Sequence, residues 1–266
     1  MADDDRIRQA TRFLLDEHGA RRLFTPLPLA CAPGTLEEAY AVQDALATLR
    51  AATAGPPAGF KIALTSAVTR KMVGFNEPVS GILAARTIHQ SPCIVRRAEY
   101  VRLGFECEIA VRLRSALPVD KAPYHRDAVA DAVGAVMPAF ELVDDRNANY
   151  AQLGANVLSL VADNVWNAGV VLGRPLTDWR AIDLAAVRAT MSVNGQVVGE
   201  GYGRDVMGHP LDALTWLANM RAKRGQALPP GVVVITGSIV APQFVDAGDR
   251  VQAALEGLGE LDVTIA

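Results

Sequence analysis

Ile7, Ala10, Thr11, Leu14 and Leu15 recur at three-to-four-residue spacing, which predicts a helix ending near Gly19. A second helix has a defined start. Thr35 can cap it, and Glu38, three residues on, completes a capping box. Leu36, Ala39, Tyr40, Gln43 and Leu46 then form one periodic face. The stretch Gly55-Pro-Pro-Ala-Gly59 ends the helical region, because proline and glycine break regular structure. Beyond it the texture changes. Short apolar runs at 60–64, 101–113, 133–143 and 232–236 alternate with turn residues and predict strands. Asn194-Gly195, inside 189–198, signals a hairpin. Residues 259–266 read as a further strand, and the proline-containing stretch 114–127 as a loop. One helix interrupts this region, starting at Pro210 and running through Leu211, Leu214, Leu217 and Ala218 to Gly225.

Helices first and then mostly strands argue for an α+β fold rather than a parallel α/β sheet. The division is an N-terminal helical segment, 1–58, and a β region, 59–266, forming one integrated domain. No Gly-x-Gly-x-x-Gly follows a strand and no P-loop occurs, so nucleotide-binding readings lose support.

The segment 102–113 is the most informative. Its odd positions, Leu103, Phe105, Cys107, Ile109, Val111 and Leu113, are all apolar. Its even positions are Arg102, Gly104, Glu106, Glu108, Ala110 and Arg112. This period-two alternation predicts a strand with one buried face. Glu106 and Glu108 then share the other face, with Cα atoms roughly 6–7 Å apart. Like charges so placed repel unless a cation or proton lies between them. Paired carboxylates also offer the oxygen donors that a hard divalent cation prefers. On the alternation alone, two glutamates on a solvated face are the simpler account. Glu141 tips the balance, because it sits inside the apolar run Val136-Met-Pro-Ala-Phe-Glu141-Leu-Val143. A buried carboxylate needs a partner. A cation shared with Glu106 and Glu108 would supply one; an arginine such as Arg146, or an exposed edge position, is the alternative.

Composition narrows the classes. The chain has 266 residues, half of them hydrophobic, with 26 basic and 29 acidic side chains. There is no basic excess for nucleic acid. The three cysteines, Cys31, Cys93 and Cys107, show no Cys-x-x-Cys, so a disulfide framework or zinc site is not expected and a reducing compartment fits. The acidic start, with no long apolar run, predicts a cytoplasmic protein without a membrane span.

Lys61, alone in an apolar strand, can carry protons if its surroundings tune it, or can simply reach solvent. Asp163 follows the apolar run 157–161. Thr236-Gly237-Ser238 follows a strand and can offer donors to a carboxylate. Asp163 and Ser238 are therefore the expected substrate contacts. The histidines show no ligand spacing, and His209 belongs to a helix start. No Gly-x-Ser-x-Gly elbow supports a serine hydrolase.

Several stretches together resemble the 2-keto-4-pentenoate hydratase and 4-oxalocrotonate decarboxylase group of the fumarylacetoacetate hydrolase superfamily. They are Gly59-Phe-Lys-Ile-Ala-Leu-Thr-Ser66, Glu106-Cys-Glu108-Ile-Ala110, Pro138-Ala-Phe-Glu-Leu-Val-Asp-Asp-Arg146, Ala162-Asp-Asn164, Gly208-His-Pro-Leu211, Trp216-Leu-Ala-Asn219 and Ile235-Thr-Gly-Ser238. The resemblance implies a mixed β-roll with N-terminal helices and a Mg²⁺ or Mn²⁺ ion held by Glu106, Glu108 and Glu141. It implies Lys61 beside a small 2-oxo acid substrate from aromatic ring degradation, and a homo-oligomer. A hydratase is the first expectation and a decarboxylase the second. An acylpyruvate-type C–C hydrolase and a non-catalytic stabilising partner are the others. One position departs from the pattern. Val79 stands where many hydratases of this group carry an aspartate and decarboxylases an apolar residue.

Overall fold

Helices α1 (Ala2–Gly19) and α2 (Leu36–Ala54) open the chain where the periodicity predicts them, in a computed structural model that describes residues 2–266. Thr35 caps α2 by accepting from the Glu38 N–H. The Glu38 carboxylate accepts from Gly34 N at 2.7 Å, one residue before the predicted partner. Gly55, at φ 85°, closes α2.

The chain continues through β1 (Pro57–Ala63), α3 (Ala67–Val73), β2 (Val79–Ala84), β3 (Ile88–Gln90), β4 (Cys93–Val95) and β5 (Leu103–Leu113). Next come α4 (Arg126–Ala132), β6 (Val133–Asp144), α5 (Val157–Ala162), β7 (Asn167–Leu172), β8 (Arg188–Val193) and β9 (Gln196–Tyr202). The last elements are α6 (Pro210–Lys223), β10 (Val233–Phe244), β11 (Arg250–Leu255) and β12 (Gly259–Ile265).

Two mixed sheets result. One has the order β2-β1-β10-β5-β6-β7-β3, the other β4-β12-β11-β8-β9. The pairs β1/β10, β3/β7 and β4/β12 are parallel and the rest antiparallel. This is the α+β, mixed β-roll architecture expected. The Asn194-Gly195 turn joins β8 to β9, with both residues at positive φ as a type I′ hairpin requires.

Strand β5 lies at the centre of its sheet, and this changes one expectation. Its odd residues enter an apolar cluster shared with α4, α6 and the second sheet. Phe105 packs edge-on against Phe140 of β6, with ring centroids 5.5 Å apart. The even face, expected in solvent, is covered as well: Glu108 and Ala110 are fully buried. On that side Ala110 packs with Leu83, Met137, Val170, Leu172 and Ile235 of the same sheet, while a separate apolar cluster is built from α1, α2, α5 and the segment leading to β7. Buried Gln43 fastens it, donating to Ser80 O at 2.9 Å and to Val161 O at 2.7 Å.

Other differences have local causes. The short elements β2, β3, β4, α3, α4 and α5 hold too few residues for a period to show. In β11 the buried positions are Val251, Ala253 and Leu255, and alanine carries little apolar signal. The stretch 114–127 holds a 3-10 turn, Val119–Lys121, and the first residues of α4. Strand β10 runs past Gly237 and Pro242, which read as breakers, because its pairing with β5 shifts register around them.

Candidate active site

Pairing between β5 and β6 sets Glu106 directly opposite Glu141. Glu108 follows two residues along the same face, paired with Ser238 of β10 on its other side. One oxygen from each carboxylate lies within 4.8 Å of the others. Lys61, on β1, brings its Nζ to 3.0 Å from Glu141 Oε1. It lies across from Gly81 of β2, where a Cβ would come within 2.9 Å of the Lys61 Cγ. Glycine there leaves room for the lysine stem.

The hydrogen bonding is incomplete in an informative way. Glu141 Oε1 also accepts from Asn167 Nδ2 at 2.9 Å. Glu108 Oε2 accepts from the Gly237 N–H at 2.6 Å. Glu108 Oε1 and Glu141 Oε2 are buried with no partner. Buried acceptors without donors are costly and rare. Three convergent carboxylates with two orphaned oxygens therefore fit a hard divalent cation.

Charge crowding moves the titrations accordingly. Burial, then the neighbouring Glu141, pushes Glu106 up to about 7, with Lys61 pulling the other way. Glu108 is pushed well above its ordinary range by burial and by both neighbouring glutamates, against Lys61 and the Gly237 N–H. Burial alone would lower Lys61. Glu141, Glu106 and Glu108 outweigh it and hold the ammonium protonated.

Lys61, Glu106 and Ser238 line a cavity of about 830 Å³, open solvent at its mouth included. Glu108 and Glu141 lie beneath that wall. The Ser238 hydroxyl donates to Val240 O at 2.5 Å, which leaves its lone pairs free. Tyr150 also faces the cavity, its hydroxyl pushed up by burial and by Asp145.

Asp163 is placed elsewhere. It is buried outside the cavity lining, between Arg146 and His18. Burial would raise its carboxyl, but its pairing with His18 and with Arg146 holds it below the ordinary value. Arg146 thus serves Asp163, while Glu141 is served by Lys61. Asp163 introduces a left-handed turn. Asn164, Val165 and Trp166 have φ of 55°, 52° and 56°. Such a run is strained for residues other than glycine, above all for β-branched Val165. Asn164 holds it by bonding both the N–H and the C=O of Ile82, at 2.7 and 2.9 Å. The turn presents Val165 and Trp166 to the cavity and Asn167 to Glu141. Nothing in the sequence marks Asn167. His209 accepts from Leu211 N and caps α6, as its place before Pro210 predicts.

Carboxylates converging on a mixed β-roll define a class, and sequence similarity places the chain in it. The chain belongs to the fumarylacetoacetate hydrolase C-terminal family, whose model matches residues 58–266. Within that family it sides with the group of 2-keto-4-pentenoate hydratases and 4-oxalocrotonate decarboxylases. It is 33% identical over 264 residues to a 2-keto-4-pentenoate hydratase of Paraburkholderia phymatum, covering 98% of each chain. It is 31% identical over 227 residues to a 4-oxalocrotonate decarboxylase of Pseudomonas putida, covering 85% of this chain and 84% of that one. Among solved structures, the 4-oxalocrotonate decarboxylase from Pseudomonas putida G7, complexed with magnesium and adipate, superposes with a TM-score of 0.91. The two are 26% identical, and the match covers 100% of this chain and 99% of that one.

Proposed function

We propose that the chain is a divalent-metal-dependent lyase that adds water to 2-hydroxypenta-2,4-dienoate or a closely related 2-oxo acid from aromatic ring degradation. The observation that carries this is the trio Glu106, Glu108 and Glu141, with two orphaned oxygens, set beside Lys61 at a cavity wall. Relatives named as hydratases support it.

The three glutamates would hold Mg²⁺ or Mn²⁺, ions suited to an all-oxygen donor set. Such an ion supplies Lewis-acid charge for the substrate's C1 carboxylate and C2 oxygen. Lys61 is the proton carrier, held protonated by its carboxylate neighbours: its ammonium gives a proton to C5 of the dienol, and the amine takes up the proton that the C2 hydroxyl releases, leaving 2-oxopent-3-enoate. Hydroxide from water then bonds to C4 and the accompanying proton to C3, giving 4-hydroxy-2-oxopentanoate. Ser238 would turn its hydroxyl from Val240 O to donate to the substrate carboxylate. Asp163 acts one step back, by holding the turn that carries Val165 and Trp166.

Decarboxylation of an oxalocrotonate-type diacid is the second reading. Val79, an apolar residue where many hydratases of this group carry an aspartate, favours it. The proposal includes a cytoplasmic homo-oligomer in which residues 1–58 and 59–266 form one integrated domain. Exposed Val197 and Val198 on edge strand β9 offer an apolar face to a second copy. Among the described residues, no helix is long and apolar enough to cross a membrane.

Incubating the purified protein, with and without Mg²⁺ or Mn²⁺, with 2-hydroxypenta-2,4-dienoate and separately with 2-oxohex-3-enedioate tests the assignment. Metal-dependent formation of 4-hydroxy-2-oxopentanoate is expected. CO₂ release from the diacid would move the assignment to decarboxylase. A rate that survives removal of the metal would defeat both.

A further inference from the structure

We infer that the chain binds a compact oxyanion, a phosphate or a carboxylate, in a second cavity that adjoins the active-site cavity across Trp166. This site is separate from the three glutamates and does not depend on which substrate they serve.

The second cavity has a volume of about 910 Å³, open solvent at its mouth included. Trp166 belongs to the walls of both cavities, whereas Lys61, Glu106 and Ser238 border only the first. Arg21, Arg50, Arg86 and Arg146 line the second, with His18 and His89. Fewer charges oppose them. Glu99 is exposed at the rim, and Asp144 already accepts from the N–H groups of Val101, Arg102 and Arg146. Asp163 lies behind the lining, against Arg146 and His18. Four arginines against these three carboxylates leave one positive charge in excess while the histidines are neutral.

The donors of this cavity are incompletely used. Arg50, on α2, is largely buried, yet among the described residues its guanidinium has no hydrogen-bond or ion-pair partner. Burial lowers its pKa, Asp163 raises it and Arg146 lowers it again. Arg146 is 1% exposed. It donates to Asp163 and to Arg22 O, but its Nε has no partner. The buried indole N–H of Trp166 has none either. Open buried donors are costly, and an unpaired guanidinium held partly out of water more so. At the rim, Arg86 donates to Ala52 O and Thr53 O, and Arg21 to Ala98 O, which anchors each with N–H groups to spare. A compact oxyanion supplies both the missing charge and several acceptors, and its edges match the guanidinium fork.

Inorganic phosphate and acetate, titrated separately into the full-length Mg²⁺-loaded protein by calorimetry, test the site. At least one should bind with a Kd of about 5 mM or tighter, the scale of two charge-assisted hydrogen bonds, and which one binds identifies the anion. Arg50→Gln, with unchanged circular dichroism, should weaken binding at least ~10-fold. Arg86→Gln, at the exposed rim, should weaken it roughly 2–5-fold and serves if Arg50→Gln does not fold. Glu108→Gln, which disables the proposed metal site, should leave it unchanged. Weaker binding of both anions by the parent overturns the site and leaves Arg50 as long-range support for Asp163. Binding that both arginine variants retain, or that Glu108→Gln abolishes, puts the anion elsewhere and overturns it as well.

Discussion

Replacing Lys61 with methionine keeps the volume of the side chain and removes its charge. The ammonium and the Glu141 carboxylate are both buried, at 4% and 0% side-chain exposure, and 3.0 Å apart. Removing one partner of such a pair leaves the other charge uncompensated and costs about 3–5 kcal/mol. Glu106 and Glu108, both pushed up by burial, take up protons rather than add to that charge, so the full range stands. For a chain of this size each kcal/mol moves the melting temperature by roughly 2–4 °C. Metal-free Lys61→Met should therefore melt about 6–20 °C below the parent, read by scanning calorimetry in chelator. Saturating Mn²⁺ should narrow the gap, because the ion supplies the positive charge that the lysine no longer does. Turnover should still fall by roughly 10²–10⁴-fold, the usual contribution of a positioned proton donor. A metal-free melting temperature within about 1 °C of the parent would refute the ion-pair argument. Turnover within about tenfold of the parent would refute the proton-carrier role.

Asn167→Leu removes the amide that orients Glu141 and should weaken Mn²⁺ binding by roughly 10–100-fold, measured by paramagnetic titration. Gly237→Ala places a methyl at φ 125° against Thr65 and disturbs the N–H that Glu108 accepts. It should cost about 1–3 kcal/mol and lower Mn²⁺ affinity, whereas Gly248→Ala, at φ 95° but in open space, should leave affinity unchanged. Asp163 is held below its ordinary value of 3.8, so its stabilisation is present above that pH and lost as pH falls through the lower folded value. Asp163→Asn should therefore cost about 3 kcal/mol near neutrality, and its melting gap to the parent should close at acid pH. A gap constant with pH would exclude the carboxylate charge as its cause. Chelator alone should lower the parent's melting temperature, and Glu108→Gln should abolish most of that response.

The central strand was legible because eleven residues alternate without a break and Glu141 stands in an apolar run. Both are local signals. The partners were not legible, because register across the sheet decides them. Arg146 lies five residues from Glu141 in sequence, yet it faces Asp163, and the cation on Glu141 comes from a strand eighty residues earlier. Asp163 looked like a substrate contact because a polar pair ends an apolar run. Its placement depends on three consecutive left-handed residues, one of them a valine, a backbone path that no local propensity predicts. The single buried face expected for β5 became two because strand residues far off in sequence, Leu83, Val170 and Leu172 among them, pack on its second side.

The grip of His18 on Asp163 reaches further than the triad itself. All three glutamates and Lys61 lie inside the family region that begins at residue 58, while His18 and Gln43 lie before it. Exchanging the first 57 residues between relatives would leave each proposed ligand in place and still change the contacts behind Val165 and Trp166 in the cavity wall. Divergence in that segment is thus a route to new substrate preference that leaves the proposed metal chemistry untouched.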